Sequence, residues 1–534
     1  MNDKIKKPAV NIDPAFVLVM VIGSAACLFR LGAADLDIDE SFTALVVDGG
    51  FGQIMESVKA ASTPPLYFYL LWGWQKIFGA APVALRLFSV AIGLACLAAI
   101  YFTTRSIINR SAARWSAFFM ATSPLWLFRA RDVRMYSLVA LLALMALAAL
   151  YRAFLRNRLP DWIIVILVFA VGCYTHNVLV FLLPVILMPF VTPALKDRRL
   201  PAFLTFCLVW GLWLPWLPVI RHQAGSVALQ WIVPFWNALP PLLAIPKSLL
   251  VFVPGSLYPI IMRPMPHQAR FLIVMAIGIL AGALFYALRP LPDGRQRISG
   301  KMSLVEVRRL LIMFLFCPLL LMWGYSYIVR PIYLVGRYDI VALPAFCMLA
   351  GWGVSRWVER AGRPRHLLRS GIAAALLGIL WIATLVPYFD GLTNPGFIRS
   401  STAASFLADK MQPGDALVYL GLRRSSLEYA LRRHGITPSQ QGSFPAELDQ
   451  HTAWISLEDM MQRSDTLRRE GRMLAESLHE YAMASHRVWI AAAGDNPINR
   501  LLLDALNELF NVDGSLSSAD LGLYCLNPID LNPK

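Results

Sequence analysis

Acidic residues are scarce through most of this chain. Its first 388 residues hold 15 Asp and Glu against 36 Lys and Arg, whereas residues 389–534 hold 18 against 13. Charge of either sign is scarce as well: 15% of the 534 residues are charged and 57% are hydrophobic. That balance excludes an ordinary soluble enzyme of this length and indicates an integral membrane protein. Of seven cysteines, Cys27, Cys96, Cys173, Cys207, Cys317 and Cys347 fall in apolar runs and only Cys525 falls near the C-terminus, so neither a disulfide framework nor a CxxC metal site is available. No internal repeat and no low-complexity tract is present.

Long apolar runs are abundant. Eleven of them read as membrane helices, near 14–33, 82–104, 115–128, 135–151, 161–175, 178–194, 201–220, 269–288, 310–327, 339–355 and 370–388. About 20 such residues span roughly 30 Å of hydrocarbon. With the basic leader "MNDKIKK" in the cytoplasm, the segments between spans alternate in charge, and the inner ones carry Lys and Arg at more than three times the density of the outer ones. The formal net charge of +16 is therefore topological, and no nucleic-acid partner is expected. The first span has no small-residue cleavage site after it and reads as a retained helix.

An odd number of spans places everything after residue 388 outside. Two domains are expected: a helical membrane domain, 1–388, with long outer loops 34–81 and 221–268, and a small α/β domain, 389–534. In the first loop "FGQIMESVKAA" has helical periodicity, and the Trp- and Tyr-rich "TPPLYFYLLWGWQKIFG" suits the membrane interface. In the C-terminal part "DALVYLGL" and "HRVWIAAAG" read as strands, and "SSLEYALRRHG" and "NRLLLDALNELF" as helices.

Against the scarcity of acids, "DLDIDESF" places four of the fifteen within six residues, Asp35, Asp37, Asp39 and Glu40, just outside the first span. A second isolated acid, Asp132, stands in "FRARDVRMYSL" among Arg129, Arg131 and Arg134. Arginines on the outer side run against the charge asymmetry, which suggests an anionic ligand. Arg129 and Arg131 also read as cations snorkelling to lipid headgroups. A carboxylate base beside a guanidinium clamp suits glycosyl transfer from a lipid phosphate: the base takes the acceptor proton and the arginines hold the leaving phosphate. On a helix beginning near Asp132, that acid and Tyr136 share a face and Arg134 points elsewhere, toward a phosphate. Lys59 is an outer lysine able to meet phosphate as a point charge.

These motifs resemble those of bacterial GT-C glycosyltransferases of the dolichyl-phosphate-mannose protein mannosyltransferase and aminoarabinose transferase (ArnT-like) type. The likeness rests on "DIDESF", "TPPLYFYLLWGW", "ARDVRMYSL", "YTHN" and "GRYDIVALPA", in that order over roughly residues 14–350. It implies a GT-C helical bundle, a polyprenyl-phosphate-linked sugar donor, inverting transfer and a catalytic first-loop acid. Carried onto this chain, that acid is Asp39, with Glu40 beside it and Asp132 as a second acid, while Arg134, Tyr136, His176, Arg337 and Tyr338 line the donor site. Thr63 stands where relatives often have His, so no role for that histidine carries over.

The expected function is therefore transfer of a sugar to an envelope glycan, lipid or protein acceptor, without a divalent metal or other cofactor. The expected location is the bacterial inner membrane, in contact with its lipids, with the site and the C-terminal domain in the periplasm. A lipid-linked oligosaccharide transferase or polymer ligase, and a transporter or flippase, are the alternatives. A transporter would show paired inverted halves and ionisable groups in mid-span, and neither is seen.

Overall fold

A computed structural model describes residues 13–60, 63–224, 232–254, 267–290, 301–360, 363–391, 399–421, 424–449, 457–484, 486–492, 497–517 and 521–529. The leader "MNDKIKK" and parts of the 221–268 loop lie outside the described residues.

The membrane part is a helical bundle with a buried centre. Six described helices are long and apolar enough to cross a membrane: Pro82–Ile107, Tyr136–Arg156, Pro193–His222, Phe271–Leu288, Tyr338–Glu359 and Arg365–Asp390. Burial separates them. Of the apolar stretch in Tyr338–Glu359, 94% is buried, against 17% in Phe271–Leu288 and 22% in Pro193–His222. The first is thus the core around which the others stand, and the last two present their side chains to lipid. Close crossing at the core depends on two glycines. A Cβ on Gly351 would collide with the backbone of Ser116, and one on Gly353 with the carbonyl of Ala283.

Several expected spans differ in detail. The first helix, Pro14–Leu28, stops short of residue 33 and is capped by Asp13. The 115–128 run is broken, because Ser123 ends helix Arg110–Thr122 and Pro124 starts a separate helix, Pro124–Ala130. The 178–194 run is largely a 3₁₀ helix, Asn177–Leu187, containing Pro184, and the 310–327 run lies within Leu304–Ile328. In the 34–81 loop the periodic segment forms helix Phe51–Ala60 with Ile54 and Val58 fully buried, and the aromatic segment forms Leu66–Phe78.

The C-terminal part is a five-stranded sheet made of β1 (Ala416–Leu420), β2 (Gln440–Phe444), β3 (Val488–Ala492), β4 (Phe510–Ser517) and β5 (Gly522–Pro528). Its order is β2-β1-β3-β5-β4. The pairs β1–β2 and β1–β3 are parallel, and β3–β5 and β4–β5 antiparallel. Every residue of β1 and β3 is buried, as expected for parallel strands covered on both faces. Leu417 and Tyr419 pack toward helices Ser400–Lys410 and Arg424–Arg433, and Val418 and Leu420 toward Ser464–Met483 and Pro497–Leu509.

This sheet domain is fastened to the 34–81 loop. Ser401 donates to Asp35 through its backbone N–H (2.8 Å) and its hydroxyl (2.9 Å). The Ser425 hydroxyl donates to the Ile38 carbonyl at 3.2 Å and the Tyr429 hydroxyl to the Ala80 carbonyl at 2.6 Å.

Candidate active site

The acidic cluster opens helix Ile38–Asp48, and its four carboxylates have four different jobs. Asp35 holds Ser401. Asp37 is the N-cap: its side chain accepts from the Glu40 N–H at 2.7 Å while Glu40 accepts from the Asp37 N–H at 3.0 Å, a reciprocal capping box. Glu40, expected as a catalytic residue, faces inward instead. Arg86 grips it with two bonds, Nε to Oε1 at 2.9 Å and Nη2 to Oε2 at 2.6 Å, and the Val133 N–H donates to Oε1 at 3.0 Å. Glu40 is only 4% exposed and is bonded at both oxygens, so its carboxylate is committed to Arg86 and the Val133 N–H. It joins the loop to helix Pro82–Ile107, where Arg86 also donates to the carbonyls of Leu31, Ala34 and Asp35.

Asp39 is one residue earlier, about 100° round the helix, and its side chain is 41% exposed. Arg337 Nη2 donates to Asp39 Oδ2 at 2.7 Å, and Arg337 Nε donates to the Tyr136 hydroxyl. Burial resists the Asp39 charge, but Arg337, Arg134 and Arg129 outweigh it and hold the carboxyl down at about 2.

Asp132 lies within the bend 131–135, because the following helix begins at Tyr136 and not near Asp132 as expected. Arg129 Nη1 donates to Asp132 Oδ2 at 2.8 Å, while Oδ1 is buried with no partner among the described residues. Burial raises the Asp132 carboxyl to about 6; Arg129 opposes the rise and Glu40 adds to it. Arg134 is turned toward the acidic helix, its Nη1 donating to Thr43 Oγ1 at 3.0 Å and to the Asp39 carbonyl at 3.3 Å. Arg131 does not snorkel. It donates to the carbonyls of Ala26, Phe29 and Arg30 and so closes the end of the first helix. Arg129 donates to the Gly336 carbonyl, bringing the Arg337 loop to the same place.

Tyr136, His176 and Tyr338 form an aromatic group, with ring centroids 6.0 Å apart for Tyr136–His176, 6.5 Å for Tyr136–Tyr338 and 5.1 Å for His176–Tyr338. The His176 Nδ1 accepts from the Val178 N–H at 3.0 Å, capping the 3₁₀ helix. Burial, then Arg134 and Arg337, lower the imidazole to about 3, so it is neutral with its proton on Nε2. That Nε2 has no partner among the described residues. His176 and Tyr338 line a cavity of about 440 Å³ together with Asn177, Tyr325 and Arg330, and the rest of its wall is mainly apolar, with Phe181, Trp213, Leu217, Ile232 and Met322. Lys59, by contrast, lies exposed on helix Phe51–Ala60.

Two buried charged residues that shape the candidate site are absent from the sequence reading. Arg86 is a lone cation within an apolar run, which is a signal for a buried partner. Asp339 follows Tyr338 directly and is fully buried, accepting from the Gly336 N–H at 3.0 Å so that it shapes the Arg337 turn.

Comparison with known proteins bears on the fold. Residues 62–220 match the family model of dolichyl-phosphate-mannose-protein mannosyltransferase. Among solved structures, ArnT from Cupriavidus metallidurans bound to undecaprenyl phosphate is similar with a TM-score of 0.60 at 14% identity, covering 95% of this chain and 97% of that one. Its apo state gives a TM-score of 0.58 at 13% identity, covering 96% and 97%. The Archaeoglobus fulgidus oligosaccharyltransferase tethered with an acceptor peptide gives 0.52 at 10% identity, covering 97% of this chain and 74% of that one. No curated protein matches in sequence.

Proposed function

Since this chain has the GT-C fold of the ArnT and protein mannosyltransferase type, we propose that it moves a single sugar, with inversion, from a polyprenyl phosphate to an acceptor hydroxyl at the outer face of the membrane. The observation that carries this reading is the Asp39–Arg337 pair, set beside an aromatic group at the mouth of an apolar cavity.

The prenyl chain enters the 440 Å³ cavity and its phosphate meets Arg337, with Tyr338 and the His176 Nε2–H as further donors. Paired with Arg337, Asp39 is a weak base, because the guanidinium neutralises it. A donor phosphate competes for that guanidinium, and Asp39 gains basicity as the ion pair loosens. Asp39 then takes the acceptor proton while the acceptor oxygen attacks the anomeric carbon. The bond from that carbon to the phosphate oxygen breaks, and polyprenyl phosphate departs as an anion on Arg337. Such a leaving group needs no proton. Asp132, whose Oδ1 has no partner among the described residues, accepts from a sugar or acceptor hydroxyl. Arg134 holds the Asp39 backbone in place.

The test is mass spectrometry of envelope glycolipids and glycans from cells with and without the gene. The expected result is loss of one hexose, pentose or uronic acid from one acceptor. Loss of a whole oligosaccharide would move the assignment to an oligosaccharide transferase.

A further inference from the structure

At the end of the bundle opposite Asp39, five arginines gather. Arg356 follows Arg337 by 19 residues, mostly along one helix, which at 1.5 Å per residue is about 28 Å, the thickness of the hydrocarbon. Arg289, Arg308 and Arg360 all lie close enough to Arg356 to repel its charge. Arg369 is on the adjoining helix and donates to the Trp357 carbonyl at 2.8 Å. Among the described residues no carboxylate pairs with any of the five. The nearby Glu359 accepts from the Ser355 hydroxyl at 2.9 Å, and Glu306 caps its own helix at the Ser303 N–H, 2.8 Å away.

The five differ in how far they are committed. Arg356 donates to the carbonyls of Tyr286, Ala287, Arg289 and Pro290, and Arg308 to those of Leu288 and Arg289. These two finish the helix ending at Leu288. Arg289 and Arg360 instead lie over the Tyr286 ring, 5.4 and 5.6 Å from its centroid, and Arg369 lies 5.3 Å from that of Trp357.

Tyr286 and Trp357 also bound an apolar cavity of about 200 Å³ between helices His267–Leu288, Leu343–Glu359 and Arg363–Gly391, floored by Ala283, Gly353 and Leu377. A half-open apolar slot thus ends in two aromatic rings with guanidinium groups stacked on them. Like charges crowded at a membrane surface are stabilised by a shared anion, and an apolar slot directly below asks for a chain attached to it.

We propose that this corner is a binding site for an anionic glycerophospholipid, its phosphate held by Arg289, Arg360 and Arg369 and one acyl chain lying in the slot against Ala283 and Leu377. The site is separate from the donor site, across the membrane from it, and does not depend on the transferase reading.

The test is thermal unfolding of the detergent-purified full chain while dioleoylphosphatidylglycerol is titrated, with dioleoylphosphatidylcholine and inorganic phosphate as parallel probes. Phosphatidylglycerol should raise the midpoint where the other two do not. R289Q/R360Q, which removes no hydrogen bond to the backbone, should raise the half-effective concentration roughly 30-fold, at about 1 kcal/mol per cation. Gly282→Leu should also weaken the response, because Gly282 lines the slot and a side chain there enters open space. R337A should leave it intact. An equal response to phosphatidylcholine, an undiminished response in R289Q/R360Q, an equal response to phosphate alone, or loss of the response in R337A would each overturn the proposal.

Discussion

Arg337 donates to Asp39 across 298 positions of sequence, and the same guanidinium donates to Tyr136. One cation thus joins the 34–81 loop, the start of helix Tyr136–Arg156 and the late loop before Leu343–Glu359.

Asp39→Asn keeps the size of the side chain and removes its basicity. The turnover of the purified, folded variant should fall by about 10² to 10⁴, measured with a polyprenyl-phosphate sugar. Normal turnover would remove Asp39 from the mechanism.

Asp39 and Asp132 should separate in a pH profile. Asp39 is held at about 2 and stays charged in mild acid, whereas Asp132, raised to about 6, takes up a proton as the pH falls through that value. The kcat/KM of the wild type should therefore drop below about pH 6, and Asp132→Asn should remove that limb while lowering the plateau. The effects on stability have opposite signs. Asp39 stabilises the fold above about pH 4 and loses this as the pH falls toward 2, while Asp132 costs stability as the pH rises from about 4 to 6.

Glu40→Gln should act on folding. It strips the partner from Arg86, whose guanidinium is then a buried uncompensated charge, at a cost of about 3 to 5 kcal/mol. Thermal unfolding of E40Q, R86M and the double variant tests this. The double variant should recover much of the loss, and simple additivity of the two single losses would contradict the pairing.

Arg337→Ala should weaken binding of polyprenyl phosphate more than Arg134→Ala, because Arg134 is occupied with Thr43 and the Asp39 carbonyl. Arg337→Lys keeps the charge without the planar fork and should fall between the wild type and Arg337→Ala. Equilibrium binding of the lipid phosphate measures all three, and a larger loss in Arg134→Ala would move the clamp to that residue.

Reporter fusions at Lys301 and Gln441 should report opposite compartments. The first lies in a basic loop and the second in the sheet domain on β2. A common location would invalidate the proposed orientation.

Hydropathy made the bundle legible, since the apolar requirement of a span is written into consecutive residues. It did not show the break at Ser123 and Pro124, where the run stays apolar through the turn, nor the 3₁₀ path of Asn177–Leu187. The site was half legible. The acids and arginines stood out against a background poor in acids, yet the adjacent Asp39 and Glu40 could not be told apart, because their roles depend on partners 298 and 46 positions away. For the same reason Arg131 read as a lipid contact when it closes the first helix.

The ties from Ser401, Ser425 and Tyr429 to Asp35, Ile38 and Ala80 bear on how this architecture tolerates exchange of parts. The sheet domain grips the very turn that starts the helix carrying Asp39, so it is not an interchangeable appendage. A chimera that grafts a foreign domain onto this bundle must recreate a hydroxyl and an amide opposite Asp35, or it will release the turn that starts this helix along with the old domain.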